Sequence, residues 1–579
     1  MKYFQTIYFV FLLSIAFSLF NEVKSDATNG SIQYGCVKKI LGVWSLETFG
    51  MNCYAEGSFE DDIDTTGWGV YNVTTDDSQS DLDQAYAAGF LEGRLTAVRF
   101  AQHWKNYIQH FRAQFSDGEI DPAAYTWISD NEDWMENMIA NNPDDDYWIS
   151  AETILEQLKG FFKGYTSSDD ITDDDRMDWT SFLTYQAEGD FYEIIPALDT
   201  SARPVLSGPD AWSRGRLESF SRSTTSCSAL IRLLDNNSDM YISHATWTTY
   251  QEMDRIYKFQ ALNMDVNINK HFSYSSKFGY VHSKDDWLIM SASSSAPAMV
   301  MFETTNSVFN DELYDLVVPQ SSLTWLRSLI ASRLATSPEE WATIFSRYHS
   351  GTYTSSWHVL DYSRFNAGAS DDSVLESGAL WLFEEMPGSY DMADITDQII
   401  ENGGYYASYN IPYFVDIYNT AGYDQAAEQY GDEYVYDKAP RALIFARDAP
   451  TISDVPDMKR VMRFNQYDVD EYSDGHGDCA ISARDDLPPV DMTSAAKLVI
   501  PSPFSEITNS SVSAFGGIDA KITTNKLSKK HYSYTQSGPT HDDQAAFYWS
   551  QDDSFSSLSH VGQPEKWDFD WVDLKPTLF

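Results

Sequence analysis

The stretch that most constrains the fold runs from Cys227 to Trp247. Two apolar arms, 227–234 and 240–247, flank an acidic, polar turn at 235–239. Short runs rich in Ile, Leu, Tyr and Trp around such a turn predict an antiparallel hairpin. Cys227 then sits at the mouth of the first strand, with His244 and Trp247 on the returning one. Further strand-like runs follow at 280–282, 286–291 and 298–304. Helical patterns occupy 311–318 and 321–348, the second divided near Pro338, and strands resume at 353–361 and 379–384. Strands, then helices, then strands predict an α+β chain of packed antiparallel sheets with helices outside.

Upstream of the hairpin the chain is mostly helical. From Asp81 to Phe115, Leu82, Tyr86, Phe90, Leu91, Leu95 and Val98 recur mostly at intervals of three and four, which predicts a helix N-capped by Asp81. A second helical stretch covers about 131–162, interrupted near Pro143. His103 and His110 read as structural residues, because no third ligand stands near them. Residues 198–226 combine Pro204, Gly208, Pro209, Gly215 and a Ser/Thr cluster with little apolar periodicity. That pattern predicts an exposed connector, the natural place for proteolytic trimming.

Residues 1–25 have the layout of a secretory signal: Lys2, an apolar run from Tyr8 to Phe20, and a small-residue cleavage site at Ser25. The run is shorter than the ~20 residues a helix needs to span a bilayer, so no transmembrane anchor is expected. With 39 basic and 87 acidic residues the formal charge is −48. Such a surface repels nucleic acid and anionic membranes; it suits an acidic lumen, where carboxylates begin to protonate, and equally suits a secreted protein that acidity merely keeps in solution. Sequons at Asn29, Asn72, Asn236 and Asn509 are compatible with lumenal glycosylation. Four cysteines in so long a chain make no disulfide framework. Cys36 and Cys53 are close enough in sequence to pair, which leaves Cys227 and Cys479 over. An unpaired cysteine in an oxidising lumen asks for an explanation, and reactivity is one.

Gly-x-Ser-x-Gly, His-Glu-x-x-His and a glycine-rich phosphate loop are all absent, so no metal and no cofactor are expected. The Cys227 hairpin remains. A cysteine freed at a chain N-terminus carries its own base, an α-amine that ordinarily titrates at ~7.7–8.0.

Several motifs resemble the phospholipase B-like family: Ser-Cys-Ser-Ala-Leu-Ile around Cys227, Ser-His-x-x-Trp ending at Trp247, and Glu303-Thr304-Thr305-Asn306. So do Ala407-Ser408-Tyr409-Asn410-Ile411-Pro412, Pro440-Arg441-Ala442 and Gly517-Ile518-Asp519-Ala520-Lys521. The resemblance implies an N-terminal nucleophile hydrolase, an αββα sandwich of two antiparallel sheets flanked by helices and cut between Ser226 and Cys227. It implies a fragment 26–226, with a removable linker at about 198–226, that stays associated with the fragment 227–579 in one domain. Cys227 would be the nucleophile, its freed amine the base, Asn410 the oxyanion donor, and Arg441 the residue beside amine and thiol. His244 and Trp247 would line the site, with Thr304 or Thr305 near the substrate. The activity implied is deacylation of glycerophospholipids in a secreted or lysosomal setting. Hydrolysis of N-acyl amides or small peptides is the alternative, and a silent lumenal lipid-binding protein is the rival outside enzymes. The chain departs from the family at Thr354-Ser355-Ser356, where Asn-Asn-Gln is common, and at Cys479, which lacks an evident disulfide partner.

Overall fold

The computed structural model describes residues 32–115, 118–224, 227–370, 372–490 and 512–577. The signal at 1–25, Asn29, Asn509 and Ser226 lie outside the described residues.

Two sheets carry the molecule. One contains β1 (Ile32–Ile40), β2 (Val43–Glu47), β3 (Ala55–Asp62), β4 (Trp68–Thr75), β8 (Arg255–Ala261), β9 (His271–Lys277), β10 (Trp287–Ser291), β11 (Met299–Thr305), β12 (Ser355–Asp361), β13 (Leu380–Met386) and β14 (Ser389–Asp394). Its eleven strands run β14-β13-β12-β11-β10-β9-β8-β4-β3-β1-β2. All pairs are antiparallel except β4 and β8, which are parallel. A parallel pair needs a long crossover, and the helical region before the Cys227 hairpin lies within that connection. The second sheet uses β5 (Ser228–Leu233), β6 (Met240–Ala245), β15 (Tyr405–Ser408), β17 (Asp519–Thr524), β18 (Ser533–Ser537) and β21 (Val572–Leu574), in the order β15-β5-β6-β17-β18-β21. A small separate pair joins β19 (Phe547–Tyr548) to β20 (Lys566–Trp567).

Strand alternation explains why the sheets stack. Val300 and Phe302 of β11 meet Ala229, Ile231, Met240 and Ile242 of the hairpin in one buried cluster between the sheets. Met299 and Met301 point to the opposite face and pack with the N-terminal helices. Leu230 and Tyr241, on the other face of the hairpin, pack with Ile444, Phe445, Met458 and Val461 from helices Pro440–Asp448 and Val455–Met462. Successive side chains of a strand point to opposite faces, so each sheet is apolar on both sides and must be covered twice. The result is the expected α+β sandwich, layered helix, sheet, sheet, helix.

Several boundaries differ from the sequence expectation. Ser80, not Asp81, caps the first helix, its Oγ accepting from the Asp83 N–H at 3.3 Å. The expected single helix is two, Asp81–Leu95 and Ala97–Arg112, parted at Thr96, whose hydroxyl turns back to the Glu92 carbonyl at 2.7 Å. Residues 280–282 are not a strand. Trp247 leaves the hairpin for a short strand, β7 (Trp247–Thr249), paired with β16 (Phe515–Gly517). The connector is not open coil throughout: it contains the helix Arg214–Thr224, and Trp212 and Leu217 are buried in the outer core. Two apolar anchors among Ser, Arg and Gly are enough to dock it.

Cys36 and Cys53 form a disulfide, while Cys227 and Cys479 keep their thiols. Asn236 is exposed in the hairpin turn. Asn72 is buried in β4, and its Oδ1 accepts from the Thr577 N–H at 3.0 Å. A glycan at Asn72 would have to displace the C-terminal segment.

Helices Asp81–Leu95 and Asp146–Thr166 approach closely enough to exclude any side chain at the crossing. A Cβ on Gly89 would lie 1.9 Å from the Gln157 carbonyl oxygen, and one on Gly160 would lie 2.1 Å from that of Tyr86. Both obstacles are backbone, which cannot swing aside. Gly89→Ala is therefore expected to cost about 3 kcal/mol, the upper end of ordinary overpacking, seen as a lower melting temperature in a thermal scan.

Candidate active site

Cys227 stands immediately before β5. Its φ of 87° is in the left-handed region, rare for a residue with a side chain. Its side chain is buried, with Sγ close to the Trp247 backbone N–H. Burial, with Glu303 next, pushes the thiol pKa well up, so the resting group is S–H.

Arg441 ties the surroundings together from the first turn of its helix. Its guanidinium donates to the Cys227 carbonyl at 2.8 Å, to the Ser228 hydroxyl at 3.1 Å and to Asn410 Oδ1 at 2.5 Å. It also lies 4.3 Å from the centre of the Trp247 ring. Burial lowers its pKa to about 10, which leaves it charged from acid to neutral pH. Asn410 follows β15 at φ 70°; its Nδ2 donates to the Thr305 carbonyl at 2.6 Å, and its own carbonyl accepts from Tyr423 Oη at 3.0 Å. The amide expected to meet an oxyanion is thus engaged by the strand facing it.

His244 projects from β6 into the space between the sheets, with Nε2 2.9 Å from the Glu303 carbonyl oxygen of β11. Burial, followed by the nearby Lys521, lowers its pKa well below the usual range, so the ring is neutral. Thr304 Oγ1 lies 2.5 Å from Ser408 Oγ, and Thr305 Oγ1 is 3.3 Å from a Glu303 carboxyl oxygen. Residues from β5, β6, β7, β11, β15 and the Arg441 helix therefore converge on one place. Beside it opens a cleft lined by Trp247, Tyr409, Asn410, Tyr434, Arg441, Cys479 and Phe515, with Ser221 of the connector helix on its wall.

Sequence reasoning missed the acidic side of the site. A Glu303 carboxyl oxygen, a His244 ring nitrogen and Cys227 Sγ all lie within 4.8 Å of one another. Glu303 hydrogen-bonds Asp286, which accepts from Tyr353 Oη, and Lys284 Nζ donates to that hydroxyl at 3.1 Å. Burial raises both carboxyl pKa values; Asp286 pushes Glu303 further up, while the Lys284 charge and the hydrogen bond from Glu303 pull Asp286 back, so the proton the two carboxyls share sits on Glu303. The available signal was a Glu inside an apolar strand, which a half-buried edge would also produce. Thiol, imidazole and carboxyl are zinc-ligand types, but a carboxyl that keeps a proton with Asp286 is a poor ligand for zinc. Behind Trp247, Asp519 accepts from the Thr246 N–H at 2.8 Å, from Lys521 at 2.8 Å and from Arg255 at 2.9 Å. That knot fixes the bend that carries the chain from β6 to β7.

The departing segment is buried. Ser356 Oγ donates to Glu384 Oε1 at 2.6 Å and accepts from Asn306 Nδ2 at 2.9 Å. Burial pushes Glu384 up to about 7 despite three donors, and Asp190 up to about 6. A raised carboxyl binds a proton in the folded state that the unfolded chain releases, so its stability contribution is full below the ordinary pKa. It is lost as pH rises through the folded value. Glu188, brought down to about 2 chiefly by Lys277 against its burial, acts oppositely and protects only above that range. The melting temperature should therefore be higher near pH 5 than at pH 7.5, with Glu384 alone contributing on the order of 3 kcal/mol. Glu384→Gln should flatten the alkaline slope in a pH series of thermal melts.

The layering and the buried thiol at a strand mouth place the molecule among α+β sandwich proteins with a buried cysteine close to a cleft. Comparison narrows the class. The Phospholipase B family model matches residues 55–574. Phospholipase B-like protein G of Dictyostelium discoideum is 33% identical over 566 residues, covering 92% of this chain and 90% of that one. Phospholipase B-like 1 of Rattus norvegicus is 32% identical, covering 90% and 88%, and that of Homo sapiens 31%, covering 90% and 87%. The chain belongs to the phospholipase B-like family. Among the described residues, no helix is long and apolar enough to cross a membrane.

Proposed function

We propose that this protein is a self-processing acyl hydrolase of a secretory or lysosomal lumen that deacylates glycerophospholipids. The observation that carries the reading is Arg441, which holds the Cys227 carbonyl and the Asn410 side chain in one grip beside an aromatic cleft. Cutting Ser226–Cys227 frees an amine beside Sγ. The amine takes the thiol proton, and the thiolate attacks the acyl carbonyl. The departing alkoxide takes the proton back, leaving a thioester. Water activated by the same amine then releases the fatty acid. Asn410, freed from Thr305, donates to the oxyanion, and the fixed positive charge of Arg441 favours thiolate and oxyanion alike. The two cut fragments stay together because β4 and β8, from either side of the cut, are neighbours in one sheet. The Cys36–Cys53 disulfide suits an oxidising lumen.

The test is a screen of the processed protein, from acid to neutral pH, against glycerophospholipids and N-acyl amides together. Fatty acid release from the phospholipids is expected. Turnover of amides alone would replace the ester reading with the amidase one. Turnover of neither would leave a binding protein.

A further inference from the structure

In the uncut chain the nitrogen of Cys227 belongs to an amide, so the base that serves later turnovers does not yet exist. Something else must take the thiol proton during self-cleavage. Building on the self-processing reading above, we propose that His244 is the general base of that first cut.

The geometry around the ring carries the argument. The Glu303 carbonyl oxygen, 2.9 Å from Nε2, can only accept, so Nε2 carries the proton and Nδ1 the lone pair. Nδ1 is buried and has no hydrogen-bond partner, although a buried imidazole nitrogen ordinarily finds one. The ring lies in the same 4.8 Å cluster as Sγ and the Glu303 carboxyl. Glu303, with Asp286 behind it, and Asp519 on the acidic side, and Lys521 and Arg255 on the basic side, are the titratable groups around it. Asp519 and the Glu303 carbonyl favour an imidazolium in transit, against Lys521 and Arg255. The φ of 87° at Cys227 adds backbone strain on the residue that supplies the scissile nitrogen.

The step balances without any other reactant but water. The S–H proton passes to His244 Nδ1 as the bond from Sγ to the Ser226 carbonyl carbon forms. The C–N bond of Ser226–Cys227 then breaks, its nitrogen taking the proton back from the imidazolium. Water hydrolyses the thioester, which leaves a carboxylate on Ser226, a thiol on Cys227 and a free α-amine.

The experiment follows newly made full-length chain in a cell-free translation time course, reading the fraction cut by mass and the folding by thermal melt. His244→Gln keeps an amide that can donate to the Glu303 carbonyl but has no basic nitrogen. It should melt with the wild type and be cut at least about 100-fold more slowly, the low end for a lost general base. His244→Ala, cut as slowly, should regain cutting when imidazole is added, which a structural role would not allow. Cutting of His244→Gln at the wild-type rate overturns the proposal. If that variant does not fold, a folded His244→Ala that ignores imidazole overturns it instead. Cys227→Ala runs alongside: if that variant is cut at the same bond, the N-terminal nucleophile reading itself fails, whatever His244 does.

Discussion

Cys227→Ala is expected to yield one uncut chain that folds like the wild type and hydrolyses acyl substrate at least about 1000-fold more slowly. The effect is large because one atom serves both events. In the proposed mechanism Sγ makes the first cut and then forms the acyl-enzyme, and without the cut no α-amine would exist to act as base. The fold should tolerate the change. The side chain is small, its surroundings are already packed, and losing one buried sulfur costs on the order of 1 kcal/mol. Gel mobility, thermal melting and a fatty-acid release assay on the same preparation read all three effects. Residual activity within tenfold of wild type would mean that another group in the cleft does the chemistry.

Arg441→Ala is expected to lower kcat/KM by about 100- to 1000-fold, the range seen when a preorganised donor to developing charge is removed. The guanidinium makes three hydrogen bonds around Cys227 and Asn410 and stacks on Trp247. Its loss frees the Asn410 side chain and removes a fixed positive charge that acts on the thiol. Arg441→Lys keeps the charge but cannot reach the same partners with a planar fork, so it should fall between the two. Steady-state kinetics on processed protein separate these outcomes. A kcat/KM within threefold of wild type for Arg441→Ala would reduce the residue to a scaffold role.

The hairpin was legible in the sequence because period-2 burial on both faces leaves a continuous apolar run on each arm, and the acidic turn marks its end. His244 was placed on the returning arm by the same pattern, where the structure pairs it with Ala229, but its site role came through the family resemblance. The place of Trp247 was not legible, because the bend at Thr246 is imposed by Asp519, far along the chain. Asn410 and Arg441 were reachable only through family resemblance. Locally one reads as a turn residue and the other as a surface cation, and long-range strand order alone brings them to Cys227. Glu303 and Asp286 escaped notice because a carboxyl within an apolar run carries no local sign of which partner shares its proton. The connector helix was missed for a similar reason: Trp212 and Leu217 are too sparse to make a period, yet each fills a place in the outer core.

The claim on which the account turns is that Cys227 becomes a chain terminus. N-terminal sequencing and intact mass of the mature protein test it most directly. The account predicts two tightly associated fragments, the larger beginning at Cys227 with a free α-amine. A single intact chain, or a fragment that begins elsewhere and keeps Cys227 internal, would contradict it.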